Sequence, residues 1–473
     1  MSLRPALVAI DLGAESCRVS LLQWQGDTPA VRMVHRFANG PIHQGKGLHW
    51  EFTRICRELF RGLRQCATLA PEGIASIGVT GWAVDYVRLD RHGNLNGQPF
   101  CYRDPRNAQA MEEVHKRLTA ERLYAITGVQ IQPINTVYQL YADQLSGIPA
   151  STPWVNLPEY ILHWLGAPRV AEYTNATHTA LIDTDTRQWS REIFDLLELD
   201  ISAAPEIVPA GTQLGTLANH LRALPAFRNT QLIAPACHDT ASAIAGIPAD
   251  GNSWAYISSG TWSLVGTTLT TPNKTVEACH KGFTNLGGAG DTVLFHRGIP
   301  GMWLLRQCMN EWQKSSPCTV QQLVAAAQAV PAPDYELDLD DPAFLTPGDM
   351  PERINQQVEA RNIQPLASGC DAAPAYASLI FHSLARRYAS VLQNIHTLTG
   401  KSFDRICIVG GGSRNQFLND LASQAAGVPV ERCSPESSTL GNFAVQFARL
   451  ESPEAEIDTA CITRHAGQLL PAI

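Results

Sequence analysis

Asp11-Leu12-Gly13-Ala14-Glu15-Ser16-Cys17-Arg18 places an acid, a glycine, a hydroxyl and a guanidinium in one short stretch. That set suits a phosphate. Gly13 lets the backbone come close, Ser16 can donate, and Arg18 can neutralise charge. Asp11 could hold Mg²⁺ through water, because that ion keeps much of its hydration shell. The same residues would also serve in an ordinary hairpin. A second run, Ser258-Ser259-Gly260-Thr261-Trp262-Ser263, groups hydroxyls around a glycine near the chain midpoint. A plain hairpin is again the alternative, but two such turns are more specific than either alone. Together they suggest two domains gripping one polyphosphate.

A third candidate is Gly410-Gly411-Gly412-Ser413-Arg414-Asn415, after an apolar run and before a helical pattern. Glycines there let a flat ring or a phosphate approach, and a helix N-terminus favours an anion. The dinucleotide fingerprint is absent, since Asn415 replaces its last glycine. A tight turn capped by Ser413 or Asn415 is the plainer reading. His238-Asp239-Thr240 follows a short apolar strand and opens a small-residue helix, so Asp239 is either an N-cap or a general base. Gly40 to Gly47 matches GxxxxGK, but Gly47 stands where the magnesium-binding hydroxyl belongs, so the spacing predicts a solvent loop. Trp82, Asp85, Tyr86, Tyr102, Arg103, Asp104 and Arg106 mix aromatic faces with charges, which suits a polyhydroxylated ligand. For at least half of them, surface ion pairs and half-buried rings are the plainer reading.

These residues need strands and helices to hold them. The runs 7–22 and 253–269 each read as strand, turn, strand. The periodicity predicts helices over Phe52–Leu69, Met111–Ile126, Thr136–Leu145, Tyr376–Leu398 and Asn415–Ala426. Strands are expected in Ile74–Leu89, Arg405–Val409 and at VPVERC. The stretch Ala150–Leu224 is poorly patterned, and Pro331–Pro365 reads as a surface excursion. Strands alternating with helices in both halves give an α/β architecture, with a boundary near Gly246–Asn252.

The chain has 473 residues, too many for one ordinary core. Its net charge of −8 carries no Lys/Arg cluster, which disfavours nucleic acid and anionic membranes. None of its 12 cysteines forms a CxxC pair, so they read as scattered buried thiols. No run has the length of a membrane span. A cytoplasmic protein is expected.

Taken together, IDLGAESCRV, HRFANG, IGVTGWAVDYVRLD, YRDPRN, NTVYQLYA, EYTNATHT, CHDTASAI, YISSGTWSLVG, IVGGGSRNQFLN and STLGN resemble the FGGY carbohydrate kinases, and within them the branch acting on L-rhamnulose. The resemblance implies two actin-like (ribonuclease H-like) α/β domains flanking a deep cleft, a sugar-binding domain at 1–246 and a nucleotide-binding domain at 247–473. It implies ATP and Mg²⁺ as cofactors, a small-molecule sugar as substrate, and a monomer or homodimer without nucleic-acid or membrane partners. By position, Asp239 matches the proton acceptor. Ala14, Glu15, Ser16, Cys17 and Arg18 match the first phosphate loop, and Gly260 and Thr261 the second. Arg306, Gly411, Gly412 and Asn415 fall at nucleotide positions. Ala83, His238, Asp239, Thr240 and Gly298 fall at sugar positions. The branch usually has Ser and Gly at positions 15 and 17, Gly at 83, Asn at 298 and Gln at 306. Kinases for L-fuculose, L-ribulose or a xylulose stay open, as do a nucleotide-switched actin-like protein and a sugar sensor.

Overall fold

The structure is a computed structural model that describes residues 5–312 and 319–470. The chain forms two compact units. The first comprises Met1–Asp250, Thr268–Phe295 and Glu436–Ile473, and the second Gly251–Thr267 and His296–Pro435.

In the first unit β1 (Ala6–Leu12) is buried along its whole length, as the apolar run from Ala6 to Ile10 requires of a strand covered on both faces, with Asp11 buried near its end. It pairs antiparallel with β2 (Ser16–Gln25), which pairs antiparallel with β3 (Thr28–Ala38). On its other side β1 runs parallel to β4 (Ile74–Gly81). Then β5 (Thr212–Thr216) and β6 (Gln231–Ala234) complete the order β5-β6-β4-β1-β2-β3. The helix α1 (Phe52–Leu69) buries Phe52, Ile55, Leu59, Leu63 and Cys66, the stripe its periodicity predicted. The short helix α2 (Asp239–Ala245) follows β6.

The second unit repeats the pattern. Antiparallel β7 (Trp254–Ser259) and β8 (Trp262–Leu269) form the hairpin, and β10 (Arg405–Val409) lies parallel to β7. With β9 (Val293–Pro300) and β11 (Val430–Arg432) the order is β9-β8-β7-β10-β11. Around them stand α3 (Trp303–Trp312), α4 (Val320–Gln328), α5 (Ala373–Thr399) and α6 (Gln416–Ala426). This is a mixed α/β fold with two sheet-containing domains of the actin-like kind.

The units interleave along the chain, where the sequence suggested a division into 1–246 and 247–473. The C-terminal return to the first unit is made by α7 (Ser437–Glu451), which belongs with the first sheet. Its buried Gln446 donates to Val8 O at 3.0 Å and accepts from Ser76 Oγ at 2.6 Å. A buried amide so engaged ties α7 to β1 and β4. Other expectations shift locally. Met111–Ile126 is not one helix but the end of Arg106–His115 followed by Ala120–Thr127, because Thr119 caps the second by accepting from Arg122 N. The GxxxxGK stretch is a hairpin, Pro41–Gln44 with Gly47–Trp50, turning at Gly45-Lys46. The excursion Pro331–Pro365 contains the helix Met350–Glu359. Among the described residues no helix is long and apolar enough to cross a membrane.

Candidate functional site

The first unit gathers Asp11, Arg18 and Asp239. Register in the β1–β2 hairpin sets Asp11 opposite Arg18, and Arg18 Nε lies 3.3 Å from Asp11 Oδ2. Arg18 also pairs through Nη1 with Glu436, just before α7. Asp11 Oδ2 accepts in addition from Ser438 Oγ at 2.6 Å. The turn is tight. A Cβ on Gly13 would stand 2.4 Å from Ser16 O, so a side chain there would break it. Asn39 braces the turn, donating from Nδ2 to Gly13 O at 3.0 Å and from its backbone N–H to Glu15 O at 2.8 Å.

The five candidates of that turn divide. Glu15 is exposed, and Ser16 Oγ accepts from Arg36 Nη2 at 3.2 Å. Ala14 packs its methyl against the apolar core. Cys17 is fully buried, and burial pushes its thiol up to about 12. Alternation along β2 turns Cys17 inward, and its thiol donates back to Gly13 O at 3.6 Å, bracing the turn from beneath.

His238 caps α2 and Asp239 opens it. Asp239 Oδ1 lies 3.2 Å from His238 Nε2 and accepts from Thr240 Oγ1 at 3.2 Å. Although 37% of its side-chain surface still meets solvent, protein crowds the carboxyl closely. That crowding, and then the negative charge of Asp11, push its pKa up to about 7. A carboxylate so tuned is poised to take a proton near neutrality.

Ala83 is buried beside Val84, whose φ of 70° is costly for a β-branched residue. The conformation is held because Val84 O accepts from Thr136 Oγ1 at 2.6 Å and Gln139 Nε2 at 3.2 Å. Next to it, buried Asp85 accepts from the indoles of Trp50 at 2.6 Å and Trp82 at 2.9 Å. Burial pushes that carboxyl up to about 6. The rest of the aromatic and charged set is largely internal. Tyr86, Arg88 and Arg106 all converge on buried Asp143. Asp104 accepts from Leu48 N and Arg106 N. Arg103 stacks over the Tyr102 ring at 5.1 Å.

In the second unit Gly260, Thr261, Arg306, Gly411, Gly412 and Asn415 line a single cavity of about 730 Å³. The cavity is walled by Met302, Leu305, Val324 and Phe417 as well, apolar surface of the kind a purine ring needs. The glycine turn is obligatory there. A Cβ on Gly412 would stand 1.9 Å from Ser259 Oγ. Asn415 caps α6 through Oδ1, and its buried Nδ2 has no hydrogen-bond partner among the described residues. A donor left unpaired at the wall of a cavity fits an acceptor-rich ligand such as a nucleotide. Gly298 lies on β9, outside that lining, and a Cβ there would make only ordinary contact, 3.4 Å from Leu264. Among the described residues no group of three or more His, Cys, Asp or Glu could hold a metal ion by itself, so Asp11, the acid at the end of β1, suits an ion that arrives on phosphates.

Sequence reasoning passed over Asn39, His178, Glu172, Glu436 and Ser438. The runs HRFANG, EYTNATHT and STLGN contain Asn39, His178 with Glu172, and Ser438, but nothing local in them announces a contact with residues far along the chain.

The model of the FGGY family of carbohydrate kinases, N-terminal domain, matches residues 6–246, and that of the C-terminal domain matches 255–450. The chain is 36% identical over 449 residues to a rhamnulokinase of Enterococcus faecalis, across 93% of this chain and 88% of that protein. It is 33% identical over 443 residues to a rhamnulokinase of Bacteroides thetaiotaomicron, across 93% and 89%. Among solved structures it resembles a gluconate kinase from Lactobacillus acidophilus (TM-score 0.77, 15% identity, 98% of this chain and 92% of that one). It also resembles a xylulose kinase from Rhodospirillum rubrum (TM-score 0.77, 16% identity, 97% and 92%). At such identities the structural likeness shows the fold alone.

Proposed function

Because the chain belongs to the FGGY family of carbohydrate kinases, which use ATP with Mg²⁺, we propose that it phosphorylates L-rhamnulose at the primary hydroxyl. The observation that carries the residue roles is the carboxyl of Asp239, raised to about 7 at the start of α2 beside His238 and Thr240. In this reading Asp239 accepts the hydroxyl proton as the oxygen attacks. His238, Thr240 and Ala83 contact the sugar, with Gly298 a further sugar position.

Bound MgATP supplies the γ-phosphoryl group. Arg306, Gly411, Gly412 and Asn415 hold the nucleotide, with Gly260 and Thr261 at its phosphates. The turn Ala14–Arg18 offers backbone N–H groups, the Ser16 hydroxyl and the Arg18 guanidinium to phosphate charge, and Asp11 would help hold Mg²⁺, which neutralises phosphate charge when bound. The similarity to two rhamnulokinases above 30% identity supports the choice of sugar. The same reading makes the enzyme cytoplasmic, a monomer or homodimer, and without a nucleic-acid partner. Its net charge of −8 supports the last point.

A coupled kinase assay across L-rhamnulose, L-fuculose, L-ribulose and xylulose tests the substrate. The highest kcat/KM is expected for L-rhamnulose. A different ketose at the top would replace the substrate, and sugar-independent ATP turnover alone would remove the kinase reading.

A further inference from the structure

We propose that His178 is a positioning residue that fixes the tautomer of His238 and thereby orients the carboxylate of Asp239. The inference rests on the reading of Asp239 as the base. His178 is half-buried in the turn Thr177–Thr179, and its Nε2 lies 3.0 Å from His238 Nδ1. The two rings are 3.9 Å apart between centroids, at 56°.

The protons can be assigned from the partners. His238 Nδ1 accepts from the backbone N–H of Ala241 at 3.4 Å, the N-cap bond of α2. A ring nitrogen that accepts a backbone N–H carries its lone pair, so neutral His238 holds its proton on Nε2. That proton points at Asp239 Oδ1, 3.2 Å away. Facing a lone pair on His238 Nδ1, His178 must present Nε2–H. The result is a directed chain, His178 to His238 to Asp239. Reversing the His238 tautomer would set a lone pair against the carboxylate and drive it out of line.

The backbone beneath this chain is clamped separately. Glu172 Oε2 accepts from Cys237 N at 2.8 Å and from Thr174 Oγ1 at 2.5 Å, and His238 N donates to Thr174 Oγ1 at 3.3 Å. The backbone of His238 therefore has a fixed anchor, and His178 adds a second, shorter contact at 3.0 Å on the nitrogen that the long 3.4 Å cap bond alone selects only weakly. The charged groups facing Asp239 are Asp11 and Arg18 from the first hairpin, and Glu172 with Glu159 lie behind Cys237.

The test uses the full chain labelled with ¹⁵N-histidine. In the wild type, two-bond proton–nitrogen spectra are expected to show His238 neutral with its proton on Nε2. In His178→Phe that signature is expected to be lost or mixed, and kcat for the sugar to fall about 10- to 100-fold with the KM for ATP unchanged. His178→Gln, whose amide can donate to the same nitrogen, is expected to restore most of the loss. A wild-type His238 protonated on Nδ1, or a His178→Phe enzyme with kcat within twofold of wild type, would overturn the proposal. If His178→Phe does not fold, the same spectrum and kcat are read in His178→Leu, where an unchanged tautomer with kcat within twofold of wild type would overturn the proposal. Near-normal turnover in Asp239→Asn would instead remove the base reading and leave the tautomer result standing, so the two failures are distinguishable.

Discussion

Ser438 Oγ donates to Asp11 Oδ2 at 2.6 Å, joining residues 427 positions apart in the chain. Ser438 lies in the first turn of α7 and Asp11 on β1, so the helix that crosses the first sheet also steadies the carboxylate at the mouth of the first turn. Asp11 is buried, and a buried acceptor that loses its donor costs about 1–3 kcal/mol. Ser438→Ala is therefore expected to lower the unfolding free energy by about that much, read from urea melts. An unchanged midpoint and slope would show that the bond contributes nothing.

The glycine turn of the second unit gives a steric prediction. Gly412→Ala places a methyl 1.9 Å from Ser259 Oγ and 2.5 Å from Ser259 Cβ. Titration calorimetry with MgATP is expected to show affinity reduced about tenfold or more, since the turn must move away from the cavity wall. Ser259→Gly in the same chain removes both clashing atoms and is expected to recover part of the affinity. Full affinity in the single variant would show that the turn does not depend on that packing.

Two buried carboxyls give stability a pH dependence. Burial, and then the charge of Glu172, push Glu159 from 4.5 up to about 8. Burial pushes Glu172 from 4.5 up to about 7. A carboxyl whose pKa is raised on folding stabilises fully below its unfolded value, and the contribution is lost as pH rises through the folded value. Stability from this pair is thus expected to fall between about pH 4.5 and 8. Glu159→Gln is expected to flatten that fall. A flip of the Asn175 amide can receive the new N–H groups, because its Oδ1 has no partner among the described residues. Urea melts at several pH values across that window check it. An equal slope in both proteins would contradict the assignment.

Much of the scaffold was legible because it is written locally. The helix Phe52–Leu69, the helix Thr136–Leu145 and the strand Arg405–Val409 have the bounds that apolar spacing predicts. The two hairpins stand where their Gly/Ser turns are. The break at Thr119 was missed because a cap interrupts a periodicity that otherwise runs on. Ala150–Leu224 looked unpatterned because its elements are short, such as Trp154–Asn156 and Leu157–Leu165, and buried nearly all round. The membership of α7 in the first unit depends on Gln446 finding Val8 and Ser76, which no window of sequence contains. The site shows the same division. Asp11, Gly13, Asp239 and Gly412 announce themselves by type and position. The burial of the Cys17 side chain was not legible, because it depends on the alternation of β2 against the core. His178, Asn39 and Ser438 act through partners far away in sequence.

The most direct test of the central claim is the turnover of Asp239→Asn with L-rhamnulose and MgATP. Asn keeps the size of the side chain and an acceptor for Thr240, but it cannot take a proton. The account predicts a folded protein that binds ATP as the wild type does and phosphorylates the sugar at least about 100-fold more slowly. Turnover within a fewfold of the wild type would contradict it.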